Sequence, residues 1–479
     1  MVNKEIQQVP LTLSVDLQQL ISPQQAWHYQ IIPAFKNETE LCFFVSSQGD
    51  YTEKKEELQL ILGKSIQFEF VPQEKIGVAL NKFYRQHDLN GKVLKFSSEN
   101  SNRFLERLLE EAKSLGSSDI HIEIYAEKAR IRIRIDGVLV ERYKLDKQEY
   151  PALVNQIKIK SNLDIAEKRL PQDGRMTLNQ LQSKLELRVS ILPTLYGEKI
   201  VLRLLSNDAT NIDINHLGFE KRQLEDFLLG TKKSFGLVLI SGPTGSGKTT
   251  TLYATLKILN EEKTNILTIE DPIEYTLEGI NQVQLKESIG LTFSKALKTF
   301  LRQDPDIIML GEIRDAETAQ MAVRAALTGH LVLSTIHTNS AWATISRLIE
   351  MGIPAYLLAN TLNISMAQRL VRKLCVHCKQ EVTEFEGLKI PTPLKLDFPT
   401  SHFISVGCEH CYYTGFSGRT AIYEVLCLDE ELTHMVREND HRIEPYFEKN
   451  EIKNLVHSAW RLYLNGVTTF KEIYPILIN

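Results

Sequence analysis

The sequence contains no apolar run that approaches the roughly 20 residues needed to span a bilayer. Its first residues, MVNKEIQQVPLTL, lack the long uncharged segment of a signal peptide, so we expect a cytosolic protein. The formal net charge is only −4, which excludes the global basic field of a dedicated nucleic-acid binder but leaves room for a local basic patch. There are no internal repeats or low-complexity tracts, and 24 glycines with 16 prolines in 479 residues exclude a collagenous or largely disordered chain.

Cysteine is scarce, but four of the six cysteines form two C-x-x-C pairs, Cys375 with Cys378 and Cys408 with Cys411. In a large cytosolic protein, such pairs favour metal binding over disulfides. Four thiolates can surround Zn²⁺ in the closed tetrahedral geometry of a structural site. Reduced free thiols or a redox pair are the alternatives. We expect His377, inside the first pair, to be a neighbour of the metal rather than a ligand.

Chain length predicts three or four domains. Residues 1–96 mix short apolar runs with polar turns and indicate a small α/β module. The segment FLERLLEEAKSLG then predicts an amphipathic helix that ends at Gly116. Alternating runs such as IRIRI, with a hairpin signal at Asp136-Gly137, have the two-residue period of half-buried strands. Residues 97–210 are therefore expected to form a twisted antiparallel sheet packed on helices.

The pattern changes after His216 to a strand, a glycine-rich turn and a helix. Apolar strands are predicted at Leu237–Ile240, Ile266–Ile269, Ile307–Leu310 and Leu331–Ile336, with helical patterns between them. This alternation is typical of a parallel sheet covered by helices on both faces, in an α/β fold. The end of the chain, after the cysteine pairs, reads as mainly helical.

A phosphate-binding motif joins the first of these strands to its helix. The segment GPTGSGKT fits G-x-x-x-x-G-K-[ST], and its position between strand and helix supports the match. Backbone N–H groups of such a loop face an anion, Lys248 reaches the β/γ-phosphates, and the Thr249 hydroxyl can ligate Mg²⁺. The predicted nucleotide-binding residues are Gly242, Pro243, Thr244, Gly245, Ser246, Gly247, Lys248, Thr249 and Thr250.

Hydrolysis also needs a group that acts on water. A buried strand delivers Glu312 to the mouth of the sheet, where ligands of such folds bind, so Glu312 is the first candidate for the catalytic carboxylate. Common P-loop enzymes have Asp just before this Glu to assist Mg²⁺, whereas Gly311 stands there in this chain. Another acid is therefore expected to assist the metal.

The segment TIEDPIEY offers that acid. Glu270, Asp271 and Glu274 crowd the end of a second predicted strand, and such close acids suit a Mg²⁺-nucleotide site. A solvated acidic turn is the alternative. At the two ends of a third strand lie His330 and His337, and we expect His337, at the catalytic edge, to sense the γ-phosphate, although a lone histidine is usually structural.

Four blocks, GPTGSGKTT, TIEDPIEY, DIIMLGEIRD and TGHLVLSTIHTN, resemble in this order the Walker A, aspartate, Walker B and histidine boxes of the ATPases of type II secretion and type IV pilus assembly. The resemblance extends to SSDIHIEI, RLPQDGR and GEKIVLRLL upstream and to the paired cysteines downstream, which are similar to the tetracysteine insert of secretion and pilus-assembly ATPases. It covers roughly residues 100–430 and implies a hexameric ring with a RecA-like core that uses ATP, Mg²⁺ and Zn²⁺.

The resemblance also implies arginines that reach the phosphates. The matching positions are Arg188 and Arg203 in the upstream domain and Arg302 in LRQDPD. Such arginines can stabilise the negative charge of phosphoryl transfer. The alternative is that Arg188 and Arg203 only face solvent. Lys298 stands where relatives often carry Arg, and lysine lacks the planar fork of a bidentate contact.

The resemblance implies five domains. They are an N-terminal partner-docking domain (1–96), a PAS-like upstream domain (97–210), a RecA-like ATPase domain (211–370), a tetracysteine zinc element (371–415) and a C-terminal helical subdomain (416–479). The leading hypothesis is a motor that docks from the cytosol on an inner-membrane platform and assembles pilin-like subunits, with no direct nucleic acid. A DNA-translocating or DNA-uptake ATPase is the alternative, and a non-hydrolysing regulator is disfavoured because both Lys248 and Glu312 are present.

Overall fold

A computed structural model describes most of the chain, namely residues 13, 17, 20, 21, 23–37, 40–47, 49, 51–84, 101–180, 183–205, 213–385, 390, 396, 398–440 and 442–478. The chain divides into two compact units. The first comprises residues 1–100, 374–383 and 403–417, and the second comprises residues 101–373, 384–402 and 418–479. Among the described residues, no helix is long and apolar enough to cross a membrane.

Helices and strands alternate along both units. The α-helices are α1 (Pro23–Tyr29), α2 (Thr52–Leu62), α3 (Gln73–Phe83), α4 (Ser101–Ser114), α5 (Tyr150–Lys160), α6 (Lys221–Thr231), α7 (Lys248–Leu259), α8 (Phe293–Phe300), α9 (Ala316–Leu327), α10 (Ala341–Glu350), α11 (Ala355–Thr361), α12 (Glu430–Glu438), α13 (Glu444–Lys449), α14 (Leu455–Leu464) and α15 (Phe470–Leu477). The strands are β1 (Ile31–Lys36), β2 (Glu40–Ser46), β3 (Ser65–Val71), β4 (Asp119–Ile124), β5 (Ala129–Ile135), β6 (Val138–Leu145), β7 (Gln172–Gln180), β8 (Ser183–Thr194), β9 (Gly197–Leu205), β10 (Gly236–Ser241), β11 (Ile266–Glu270), β12 (Asn281–Gln284), β13 (Ile307–Leu310), β14 (Leu331–Ile336), β15 (Leu362–Leu374), β16 (Lys379–Val382), β17 (His402–Ser405) and β18 (Phe416–Cys427).

The N-terminal part of the first unit is a small α/β module, as its sequence predicts. Its sheet has the order β1-β2-β3, with β1 antiparallel and β3 parallel to β2. Buried side chains from the sheet and the helices form one apolar core, including Ile31, Phe43, Leu58, Ile66 and Leu80. Burial of these apolar side chains is what stabilises so small a module.

The sequence between α4 and β9 forms the expected antiparallel sheet. Its six strands have the order β6-β5-β4-β9-β8-β7. Ile120 and Ile122 pair with Ile133 and Ile131 on the buried face, as the two-residue period requires. The opposite face carries arginines, and Arg175, Arg188 and Arg203 lie side by side in one row across β7, β8 and β9. The hairpin at Asp136-Gly137 joins β5 to β6, which confirms that prediction.

A buried ion pair ties this sheet to its helix. The Lys158 ammonium, on α5, is fully buried and lies 2.6 Å from Oε1 of Glu198 at the start of β9. Lys158 Nζ also donates a hydrogen bond to the Glu167 carbonyl oxygen at 2.6 Å. Two charges removed from water stabilise a fold only when each keeps its partner.

We predict that Glu198→Gln destabilises this unit by about 3–5 kcal/mol, because the Lys158 ammonium is left buried without its counter-charge. The shift of the urea unfolding midpoint measures the loss. The double variant Lys158→Met with Glu198→Gln should lose less, since no charge is stranded. Lys263→Met, which breaks an exposed pair with Glu261, is the control. Equal effects of Glu198→Gln and Lys263→Met would contradict the prediction.

The central sheet of the second unit has seven strands in the order β12-β11-β13-β14-β10-β15-β18. Strands β12, β11, β13, β14, β10 and β15 pair in parallel. Leu237 and Leu239 pack in one apolar cluster, whereas Val238 and Ile240 pack in another on the opposite face. Helices therefore cover both faces, as the sequence predicts, and all six residues of β10 are buried.

Two further strands complete this sheet, and helices from the end of the chain pack against it. β15 and β18, which the sequence pattern did not identify, add to it beyond β10. The residues after them form α12 to α15, in agreement with the predicted helical end. Trp460, Tyr463 and Phe470 from these helices join the same apolar cluster as Leu237.

Candidate nucleotide site and metal centre

The phosphate loop runs from the end of β10 to the first residue of α7, Lys248. Gly245 and Gly247 have φ of +80° and +87°, which disfavours any residue with a side chain. A Cβ on Gly242 would lie 2.5 Å from the Gln368 carbonyl oxygen, and a Cβ on Gly247 would lie 2.8 Å from Nε2 of the Gln368 side chain. The loop therefore favours glycine at 242, 245 and 247.

The polar groups of this loop fit a phosphate. The Ser246 hydroxyl is buried and, within the described residues, has no hydrogen-bond partner. Lys248 Nζ donates to the carbonyl oxygens of Gly242 at 2.7 Å and Pro243 at 3.0 Å, so the ammonium is folded over the loop. Burial lowers the pKa of Lys248, against the raising effect of the Glu312 charge. A bound phosphate would supply the anion that both Ser246 and Lys248 lack.

The parallel strands gather the other predicted residues at the same edge of the sheet. Neighbouring parallel strands run in the same direction, so the carboxyl ends of β11, β13 and β14 lie at the same edge of the sheet as the loop that follows β10. Glu312 follows β13 and His337 follows β14, and the two side chains meet, with His337 Nε2 3.2 Å from Glu312 Oε2. The structure thus brings together two residues that are 25 positions apart in the chain (337 minus 312).

The close approach of β11 explains why glycine is favoured at position 311. Its N–H donates to the Ile269 carbonyl oxygen on β11 at 2.8 Å. A Cβ at Gly311 would lie 3.3 Å from that oxygen and 3.4 Å from the Glu270 Cα. An aspartate at this position would require the β11 backbone to shift by a few tenths of an ångström, which favours glycine here.

The three acids at the end of β11 and in the loop that follows it have different surroundings. Glu270 is buried and accepts hydrogen bonds from the Tyr253 hydroxyl, from Thr268 Oγ1 at 2.6 Å and from Gln282 Nε2 at 3.1 Å. The Glu270 carboxylate is therefore occupied by hydrogen bonds inside the fold. Of the acids after β11 that the sequence suggested for the metal, Asp271 and Glu274 are left at the edge.

Arg314 is a site residue that the sequence analysis missed. Its guanidinium contacts Glu312 Oε1 and lies 3.5 Å from Asp271 Oδ2. Burial would raise the pKa of Glu312, but the hydrogen bond and charge of Arg314, together with His337, lower it below its ordinary value. The signal was present in the sequence, because Arg314 comes two residues after Glu312 in LGEIRD.

The predicted arginines lie in three different environments. Arg188 donates to the Ile273 carbonyl oxygen and lies 3.3 Å from Glu274 Oε2. Arg203 Nε is 2.9 Å from Asp119 Oδ1 on β4, and the hydrogen bond to Asp119 with the nearby Glu274 charge raises the pKa of Arg203. These contacts exclude the reading in which both arginines merely face solvent.

Arg302 and Lys298 lie apart from this group. Arg302 Nη1 donates to the Lys298 carbonyl oxygen at 2.9 Å, on its own helix end. Lys298 Nζ pairs with Glu317 at 3.3 Å, and both side chains are mostly exposed. A single lysine donor is sufficient for that exposed contact, and the partners seen for both residues lie outside the P-loop.

A cleft of about 1160 Å³ opens beside the P-loop. Gly242, Pro243 and His337 line one side of it, and residues of α10, β15 and the C-terminal helices line the rest. Arg369, on β15, extends into this region and, together with Glu312, acts electrostatically on Lys248. The cleft has room for a ligand of nucleotide size.

The four paired cysteines converge on one point. Sγ of Cys375 is 3.9 Å from that of Cys408, and Sγ of Cys411 is 3.7 Å from Cys378 and 3.8 Å from Cys408. A tetrahedron with Zn–S bonds of about 2.3 Å has sulfurs about 3.8 Å apart, so the four ligands fit Zn²⁺. His377 stacks on His410 outside this cluster, as expected for a neighbour.

Backbone donors complete this centre. The N–H groups of Cys408 and Gly415 each lie 3.2 Å from Cys411 Sγ. Burial raises the pKa of the Cys411 thiol, but these hydrogen bonds and those of the neighbouring thiols bring it below its ordinary value. Such donors favour a thiolate, which is the form that binds a metal.

We predict about one Zn²⁺ per chain when the full-length protein is purified without chelators, and its loss in Cys375→Ser, because three thiolates cannot close the tetrahedron. Elemental analysis measures the metal. Cys427→Ser is the matched control, since Cys427 is also a free cysteine but lies outside the cluster. Metal-free wild-type protein, or zinc retained by Cys375→Ser, would contradict the assignment.

A parallel sheet with a phosphate loop at its carboxyl edge and a carboxylate on a neighbouring strand defines a P-loop nucleotide hydrolase. Residues 96–475 match the family described as type II/IV secretion system protein. The chain belongs to that family, and it is an ATPase of the secretion and pilus class.

Individual relatives agree with this assignment. The type IV pilus assembly ATPase PilB of Pseudomonas aeruginosa is 38% identical over 95% of this chain and 85% of its own length. The type II secretion system protein E of Klebsiella pneumoniae is 43% identical over 78% of this chain and 75% of its own. A crystal structure of the pilus retraction motor PilT with bound ADP is 26% identical, with a TM-score of 0.52, over 76% of this chain and 94% of that one.

Proposed function

We propose that this chain works as a homohexameric motor whose ATP hydrolysis powers the assembly of pilin-like subunits, in type II protein secretion or in type IV pilus extension. The observation that carries the proposal is the contact of Arg188, from the upstream sheet, with the acidic loop at Glu274. Through it, a change at the nucleotide edge is transmitted directly to a second sheet. Relatives named for pilus assembly and for type II secretion support the same reading.

At the nucleotide, each group has a distinct role. The loop from Gly242 to Gly247 cradles the phosphates, and Lys248 leaves its carbonyl partners to bind the β- and γ-phosphates. Thr249, which is exposed in the first turn of α7, would ligate Mg²⁺, and Glu274 would assist the metal from the loop after β11. The Ser246 hydroxyl gains the partner it otherwise lacks. Mg²⁺ neutralises charge on the phosphates when bound.

The reacting groups lie on neighbouring strands. Glu312 orients and deprotonates water, and His337, which already contacts Glu312, senses the γ-phosphate. Arg188, Arg203 and Arg302 stabilise the charge that spreads over the transferred phosphoryl group. Because all three arginines have other partners in this conformation, their part requires a change of partner during the cycle.

The remaining parts of the chain have mechanical roles in this proposal. Residues 1–96 dock on the cytoplasmic side of an inner-membrane platform, and residues 97–210 move against the ATPase domain at 211–370. The zinc element at 371–415 is stabilised by its metal, and residues 416–479 form the C-terminal helical subdomain. The match to a pilus assembly ATPase over 95% of the chain, including most of the N-terminal part, supports a shared arrangement.

We predict that Glu312→Gln retains ATP binding while hydrolysis falls by about 10²-fold or more, because the amide cannot accept the proton from water. Binding of a fluorescent ATP analogue and release of phosphate measure the two properties separately. Glu317→Gln, in an exposed acid that pairs with Lys298, is the control and should behave as wild type. Turnover near the wild-type rate in Glu312→Gln would refute the catalytic assignment.

The motor proposal predicts that the ATPase rate per chain rises with protein concentration as hexamers form, and that DNA leaves it unchanged. Light scattering follows the oligomer in the same samples. Arg188→Ala should lower the rate of the assembled ring by roughly 10²-fold, as expected for the loss of a charge-stabilising donor. Arg130→Ala, which removes an arginine of the same sheet that pairs with Glu123, is its control.

Two other outcomes of this experiment would contradict the motor proposal or part of it. A rate that is flat with concentration but rises with DNA would replace the motor proposal by a DNA-translocating ATPase. A rate that rises with assembly but is equal in Arg188→Ala and Arg130→Ala would keep the ring and reject the role of Arg188.

A further inference from the structure

Arg314 lies between two carboxylates at the catalytic edge. Its Nη2 atom contacts Oε1 of Glu312 and is 3.5 Å from Oδ2 of Asp271. The Arg314 side chain is 53% exposed, whereas that of Glu312 is 19% exposed. Because one nitrogen is already near both acids, the exposed arginine can change partner while the strand that carries Glu312 stays in place.

In the arrangement seen here, Glu312 is held on both oxygens. Oε1 contacts Arg314, and Oε2 lies 3.2 Å from Nε2 of His337. A carboxylate that takes a proton from water needs an oxygen that is free to accept it, and nearby cations make the carboxylate a weaker base. With both contacts in place, Glu312 is well positioned but poorly reactive.

We propose that Arg314 is a positioning residue with two alternative partners, which holds Glu312 between turnovers and passes to Asp271 when water attacks. This inference rests on the proposed role of Glu312. As the water oxygen bonds to the γ-phosphorus, its proton moves to the freed Oε1 of Glu312. The bond from the γ-phosphorus to the bridging oxygen breaks, and ADP leaves with that electron pair.

The charges around Glu312 set the sign of the expected effect. Arg314 faces it from the same loop, His337 from the end of β14, and Lys248 from the start of α7. Asp271 and Glu287 act in turn on Arg314. Removing Arg314 therefore takes a permanent positive charge away from Glu312, and the pKa of this carboxylate should rise.

The test is the pH dependence of kcat at saturating Mg·ATP, measured with the full-length chain. The rate falls on the acid side when Glu312 becomes protonated, so Arg314→Gln should move this acid limb to higher pH by about 0.5–1 unit. Arg314→Lys, which keeps the charge, should return most of the shift. A purely structural role of Arg314 would lower the rate without moving the limb.

Arg442→Gln is the matched control. Arg442 also pairs with an acid two residues before it, Asp440, at 2.8 Å, but on the exposed surface of the C-terminal helices. Its acid limb should coincide with that of the wild type. An acid limb that stays in place in Arg314→Gln, or moves equally in Arg442→Gln, overturns the inference.

Asp271 provides a second arm. Asp271→Asn removes the alternative partner, so kcat should fall while ATP affinity and the Mg²⁺ requirement are unchanged. Added to Arg314→Gln, it should cause no further loss, because Asp271 acts through Arg314. If the losses in kcat of the two variants add, or if Asp271→Asn changes the Mg²⁺ concentration needed for half-maximal rate, Asp271 has a separate role. Either result overturns the proposed exchange of partners by Arg314.

Failure of this inference differs from failure of the proposed function. If Glu312→Gln abolishes turnover while Arg314→Gln has the wild-type acid limb, only the exchange of Arg314 is wrong. If Glu312→Gln turns over normally, the catalytic assignment itself fails and the inference falls with it.

Discussion

The contact between the ends of β11 and β13 is the constraint on which the catalytic edge depends. Gly311 donates to the Ile269 carbonyl oxygen, and a side chain there would press on the β11 backbone. This close pairing holds the next residue, Glu312, in line with the loop after β11 and within reach of His337 on the following strand. Parallel strands about 4.8 Å apart then bring distant parts of the chain to one edge. A larger residue at 311 would disturb this close pairing by a few tenths of an ångström.

Charge at this edge is compensated locally. Lys248 lies on loop carbonyls, Arg188 on Glu274, and Glu312 between Arg314 and His337. A buried charge without a partner is costly, so an edge prepared for a polyphosphate needs substitutes for its charges. In the proposed mechanism, binding of Mg·ATP would be an exchange of partners, in which the phosphates would take over Lys248 and the metal would draw on Glu274. Such pre-arranged groups need little rearrangement when charge develops.

The sequence was most informative where one residue type has one physical use. Glycines at 245 and 247 and Lys248 predicted the loop, and strand periodicity predicted β10, β11, β13 and β14. It was least informative about side-chain direction at strand ends. Glu270 and Glu274 are both acids near the end of β11, yet only the packing of Tyr253 shows that Glu270 is turned inward. The row of Arg175, Arg188 and Arg203 likewise depends on register, which no single strand encodes. β15 escaped detection because polar residues such as Asn363 and Gln368 interrupt its apolar pattern.

The position of the upstream arginines bears on how hydrolysis becomes movement. Three steps along the sheet separate β11 from β10, about 14 Å at 4.8 Å each. Arg188 is held at the loop after β11, whereas the charges that act on Lys248 are those of Glu312 and Arg369. In the proposed mechanism both Glu274 and Arg188 act at a nucleotide held by Lys248 and Thr249, so the loop after β11 and the upstream sheet would have to close together on a P-loop, either of the same chain or of a neighbouring one. Arg188 would then exchange Glu274 for the phosphates, and the Arg188–Glu274 contact is the one that the proposed cycle breaks.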